Sequence, residues 1–169
     1  MYAQGQNMTN SKQVYINMVD DAFLQTLGVK LLAGRLFSKE FSTDTLTRFV
    51  VNEELVKKFG FSSPQEAIGK WIAFDWDGMQ RQFTIIGVVK DFHFKDLHEP
   101  IEPIAFRMFN EASFNYFVAK ASGANLKQAL AGLESSWKKL NPNEPFEYSF
   151  LDQDFQKNYE KESRQGGLI

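Results

Sequence analysis

The sequence predicts an α+β fold in which a split β-α-β outer lobe is interrupted by an inserted, mixed α/β lobe containing a hairpin. Three observations carry this reading. Residues 13–34 alternate, coil and alternate again as a β-α-β block; residues 71–89 read as two long arms around an Asp-Gly turn; and a 16-residue helical pattern at 125–140 lies between two further strand patterns. The lobe boundaries follow: 13–45 for the first part of the outer lobe, 46–110 for the inserted lobe, and 111–164 for the second part of the outer lobe with a final helix.

The elements are justified in chain order. In QVYINMV, Val14, Ile16 and Met18 alternate with Tyr15 and Asn17, the period of a strand with one buried face. Asp20 caps the short helix DDAFLQTL, and Gly28 ends it in a left-handed turn. VKLLAG is a second strand, left through Gly34-Arg35. After the polar stretch SKEFSTDTLT, residues 49–51 form a short strand, and Asn52 caps NEELVKKFG, whose Leu55, Val56 and Phe59 share a face. Ser63-Pro64 opens a one-turn helix closed by Gly69. Asp77-Gly78 is the turn of the hairpin. Residues 104–109 and 114–120 are two further strands. Asn125 and Gln128 form a capping-box pattern ahead of Leu126, Leu130, Leu133, Trp137 and Leu140, which predict one buried helix face. PFEYSFL is then a strand, and Asp152 opens a last helix whose end is charged.

Composition narrows the function classes. Nineteen basic and twenty-one acidic residues leave a net charge of −2, without the basic footprint that nucleic acid or an anionic membrane surface requires. The chain has no cysteine, which excludes disulfides, thiolate metal sites and a cysteine nucleophile. Seventeen phenylalanines predict an aromatic core. No apolar run reaches the roughly 20 residues that span a bilayer, and neither a GxSxG elbow nor a phosphate-binding glycine loop occurs. No catalytic, cofactor or metal residue is therefore assigned.

Two stretches are candidate sites. VVKDFHFKDLHEPIEP holds both histidines, His93 and His98, among Asp91, Asp96, Glu99 and Glu102. A metal-dependent hydrolase would need three of these to converge around an open position; the alternative is a packed loop whose path Pro100 and Pro103 fix. The second stretch is the hairpin, where Trp71, Phe74 and Trp76 beside Arg81 could form a stacking platform for a ligand-sensing domain.

Taken together, VYINMVDDAFLQTLGVKLLAGRLFSKEF, VVNEELVKKFG with EAIGKWIAF, FTIIGVVKDFHFKDLHEPIEP and PFEYSFLDQDFQKNYEKESR resemble the extracytoplasmic core domain of MacB/FtsX-like ABC transporter permeases. The resemblance implies a porter-like outer lobe, a non-catalytic domain without cofactor, and a location outside the cytoplasmic membrane. The implied partners are the permease's own transmembrane helices, an ATP-binding subunit on the cytoplasmic side, a second permease copy, and a periplasmic adaptor, lipoprotein or cell-wall enzyme. The implied role is mechanotransmission. In the family, a membrane helix, a strand and a helix precede the segment matching VYINMVDDAF, and a membrane helix follows the segment matching KESRQ; this chain is accordingly read as an excised domain. Within this reading, Phe92, His93, Phe94, Leu97 and His98 form the expected partner contact, with the aromatic and leucine side chains anchoring the loop and the histidines exposed.

Overall fold

The computed structural model describes residues 1–92, 100–109 and 115–151. The described residues fall into two compact units, 1–92, 100–109 and 115–119 in one and 120–151 in the other. The expected mixture of helices and strands is present, and the first unit combines a mixed sheet with short helices. Its strands are β1 (Tyr2–Ala3), β2 (Tyr15–Val19), β3 (Leu31–Gly34), β4 (Arg48–Asn52), β5 (Trp71–Trp76), β6 (Met79–Val89) and β7 (Ile104–Met108). Its helices are α1 (Phe23–Leu27), α2 (Asp44–Thr47), α3 (Glu53–Phe59) and α4 (Pro64–Ala67).

Among the described residues the strands form one mixed sheet in the order β1-β5-β6-β4-β7-β2, so segments from 13–45 and from 46–110 share a single hydrogen-bonded layer. β6 is the long organiser. It pairs antiparallel with β5 over Met79–Thr84 and parallel with β4, while β3 takes the continuation of the β5 side at Gly87–Val89. β7 joins antiparallel to β4, and β2 joins parallel to β7 at the edge.

Local chemistry explains the boundaries. Asp77 and Gly78, at φ 51° and 71°, make the two-residue turn that the twist of a hairpin favours. Gly28 and Gly60 end α1 and α3 in left-handed geometry. Ser63 Oγ accepts from the Glu66 amide at 3.1 Å, and Glu66 accepts in return from the Ser62 amide and hydroxyl, both at 2.6 Å. Those two bonds hold the Glu66 carboxyl below its usual range. Asp20 does not cap α1 directly; it accepts from the Ala22 amide and turns the chain into the helix.

One face of the sheet carries Phe49, Val51, Ile72, Phe83, Ile85 and Val88 against Leu55, Val56 and Phe59 of α3 and Ala67 of α4. Phe49 stacks on Phe83 at 4.2 Å, and the Phe74 ring lies nearly parallel to Phe83 at 5.9 Å. This aromatic core matches the phenylalanine-rich composition, each fully buried large side chain contributing about 1.5–3 kcal/mol. On the opposite face Phe106, paired with Val50, meets Phe23 of α1 at 6.5 Å. The backbones of β3 and β6 approach so closely that a Cβ on Gly34 would strike the Ile86 carbonyl, and one on Gly87 the Arg35 carbonyl.

The connection from β3 to β4 is tied by a charge. Asp44, fully buried, accepts from Arg35 Nη1 at 2.6 Å and Nη2 at 2.8 Å and from the Ser38 amide at 3.1 Å. Arg35 also lies over the Phe41 ring at 4.1 Å. Burial pushes the Asp44 pKa up, but the Arg35 and Ser38 hydrogen bonds and the charges of Arg35 and Arg48 outweigh it, leaving the carboxyl below its ordinary value.

The second unit contains α5 (Leu126–Leu140), preceded by a 3₁₀ turn over Gly123–Asn125. The expected capping box is absent: the Asn125 side chain makes no cap bond, since its backbone, at φ −112° and ψ 10°, continues the 3₁₀ turn in place of the extended geometry of a cap residue. Nor is any α5 residue buried. Leu126, Leu130 and Trp137 are half-buried, and Leu140 is 80% exposed. The Trp137 indole donates to the Glu144 carbonyl, folding the chain after the helix back on it.

Two expected strands are also not found. Residues 115–120 and 145–150 are irregular, since alternation becomes a strand only where another strand supplies a ladder, and none does among the described residues. In the second stretch the alternate rings Phe146, Tyr148 and Phe150 contact one another instead. The expected final helix from Asp152 lies outside the described residues.

Candidate functional site

The strongest arrangement lies where the 91–103 connection leaves and rejoins the sheet. Asn52, the last residue of β4, is buried between a helix start and a strand start. Its Oδ1 accepts from the Leu55 amide at 3.1 Å, capping α3, and from the Ile104 amide at 2.9 Å, fixing the first residue of β7. Its Nδ2 donates to the Glu102 carbonyl at 2.8 Å. Three of the amide's four hydrogen-bonding positions are thus directed at two segments far apart in sequence.

The other end of the connection reaches the same helix start. Asp91 Oδ1 accepts from the Glu54 amide at 2.9 Å, and the Asp91 amide donates to Glu53 Oε2 at 3.4 Å. Lys57, one turn along α3, brings its ammonium 3.5 Å from Asp91 Oδ2. A carboxylate at a helix N-terminus is favoured by the unpaired amides there. Asp91, one of the acidic residues a metal site would draw on, is therefore committed to α3, and β6 ends before it, at Val89.

Phe92 is half-buried and its ring lies nearly parallel to Phe106, 6.1 Å away with 9° between planes. His93, Phe94, Leu97 and His98 lie outside the described residues, as do Asp96 and Glu99. Among the described residues, no group of three His, Cys, Asp or Glu side chains is placed to hold a metal ion. On the return, Pro103 is buried and its carbonyl accepts from the Tyr15 amide of β2 at 3.0 Å.

The hairpin does not present its aromatic residues together. Trp71 points to one face of β5, while Phe74 and Trp76 point to the other, as strand alternation requires. Phe74 belongs to the Phe49–Phe83 stack, and only Trp76, 67% exposed, reaches outward at the tip. Beneath the Trp71 face, the Tyr2 hydroxyl donates to Asp75 Oδ1 at 2.8 Å and accepts from Gln80 Nε2 at 2.6 Å, which holds β1 on the hairpin.

The sequence marks Asn52 as a helix cap but does not show its hold on Glu102 and Ile104. An asparagine at the end of an apolar strand signals a cap; which distant backbone it also binds is set by the β4–β7 register.

No helix among the described residues is long and apolar enough to cross a membrane. Comparison with solved structures finds the periplasmic region of MacB from Actinobacillus actinomycetemcomitans at 18% identity and a TM-score of 0.58, covering 85% of this chain and 64% of that one. The extracellular domain of the ABC-type transporter YknZ from Gram-positive bacteria matches at 17% identity and a TM-score of 0.49, over 76% of this chain and 65% of that one. The chain thus spans about two thirds of the length of the solved structures it resembles. No match was found among curated proteins. The model of the MacB-like periplasmic core domain matches residues 1–136, most of the sequence, and the chain belongs to that family.

Proposed function

We propose that the chain works as the extracytoplasmic domain of an ABC transporter permease, without catalysis of its own, and passes ATP-driven motion of the membrane helices to a substrate or partner protein. The observation that carries this is the family match over residues 1–136. Its partners in this reading are its own transmembrane helices, an ATP-binding subunit on the cytoplasmic side, a second permease copy, and a periplasmic adaptor, lipoprotein or cell-wall enzyme. The partner contact is the connection bearing Phe92, His93, Phe94, Leu97 and His98. Its support is mechanical: the residues flanking 93–99 are bonded to the start of α3 on one side through Asp91 and to Asn52 on the other through Glu102 and Ile104. A connection held at both ends transmits displacement to the sheet instead of absorbing it.

The test is made in the intact transporter. Replacing His93, Leu97 and His98 together by alanine is expected to abolish the transport or partner-dependent phenotype while leaving membrane abundance and ATP hydrolysis at wild-type levels. An unchanged phenotype removes the contact from this loop. Placement is tested separately by accessibility labelling of the full-length protein in cells, where labelling from the cytoplasmic side alone overturns the extracytoplasmic reading.

A further inference from the structure

The sheet face that carries the Phe49–Phe83 stack opens to solvent towards the tip of the hairpin. Phe83 is buried and Phe74 half-buried, while Trp76 and Met79, paired across the two strands, are 67% and 53% exposed. Arg81 is paired with Phe74, shares this face and is exposed. At the other end of the strip the half-buried Arg107 lays its guanidinium over the Phe83 ring, 5.2 Å from the ring centre.

Both arginines lack a counter-ion. Among the described residues neither guanidinium has a hydrogen-bond or ion-pair partner, and Arg107 Nε is buried without an acceptor. Asp75, between Phe74 and Trp76, points to the opposite face and accepts from the Tyr2 hydroxyl. Asp77 occupies the turn and bonds to neither arginine. A buried donor without an acceptor costs free energy that no contact within the described fold offsets.

We propose that this strip docks an acidic segment of a partner protein, whose carboxylates pair with Arg81 and Arg107 while an apolar side chain between them lies on Phe74, Trp76 and Met79. Aromatic residues, methionine and arginine, without lysine or carboxylate, are the residues that the cores of protein interfaces favour. A guanidinium takes a carboxylate through two parallel hydrogen bonds, which fixes orientation as well as charge. Two arginines fall short of the roughly 4–8 basic residues that hold an anionic membrane, and a flexible thioether suits an irregular protein side chain better than a sugar ring. The strip lies on the face opposite Phe106, against which Phe92 rests, so it is distinct from the 91–103 connection. It stands on the hairpin and on Arg107, and not on the transporter reading.

Selection of random displayed peptides against the full chain tests it. The expected pool is enriched in Asp and Glu around an apolar residue. The tightest selected peptide, followed by fluorescence anisotropy, is expected to lose about ten-fold in affinity on Arg81→Glu and on Trp76→Ala, and to weaken as salt rises. Both side chains are exposed, and thermal melts confirm that the variants fold. Arg107→Met, which keeps an apolar contact with Phe83 and removes the unpaired charge, is expected to weaken the same peptide while leaving the melting temperature unchanged or raised. A pool without acidic enrichment, an affinity indifferent to Arg81→Glu, or an Arg107→Met protein that melts clearly lower overturns the proposal. Arg81-dependent binding of phosphatidylglycerol vesicles or of heparin in place of acidic peptides assigns the strip to a membrane or a glycan and likewise overturns it.

Discussion

Among the described residues, Asn52 and Asp44 are the two buried polar side chains, and each closes a different connection. Replacing Asn52 by alanine strips the Leu55 and Ile104 amides of their acceptor at once. Loss of the helix cap together with a buried unpaired donor is expected to cost about 2–4 kcal/mol, read by urea denaturation. Asp44 makes a pH-dependent contribution. Its folded-state pKa lies below the unfolded value, so its stabilisation is complete above the ordinary aspartate range near pH ~4 and is lost as pH falls through the folded value. Asp44→Asn is expected to destabilise the domain by about 1–3 kcal/mol at neutral pH, the half-exposed Arg35 limiting the effect. The difference in melting temperature between the two proteins should shrink as the buffer is taken below pH ~4; a constant difference would assign Asp44 a purely steric role.

At the scale of elements, the Gly34–Gly87 pair sets how β3 meets β6. Gly87→Ala is expected to destabilise by about 1–3 kcal/mol, because its Cβ meets a backbone carbonyl that cannot rotate away. Gly78→Ala, with open space around it, is expected to cost only the left-handed strain of the turn, about 1 kcal/mol. The elements read correctly from sequence are those with local causes: the Asp77-Gly78 turn, the Ser63-Pro64 start, and the Asn52 and Gly60 bounds of α3. Those misread depend on a partner. Residues 115–120 carry an apolar run as β7 does, yet among the described residues only β7 has strand neighbours, one on each side. The Asn125–Gln128 spacing is equally sound, and the preceding 3₁₀ turn removed the need for it.

For the molecule as a whole, the order of motifs was legible because it is a property of the chain, and the family match over residues 1–136 rests on the same order. The site was only half legible. The sequence marks VVKDFHFKDLHEPIEP as unusual, but the bonds that hold its flanks come from Asn52 and from α3, placed there by the β4–β7 pairing. One oxygen of Asn52 receives amides from two remote stretches, and this has an observable signature in heavy water. A single swing of that side chain uncovers Leu55 and Ile104 together, so their deuterium uptake should follow one common rate. Two amides brought together only by the fold would thereby report the same opening event.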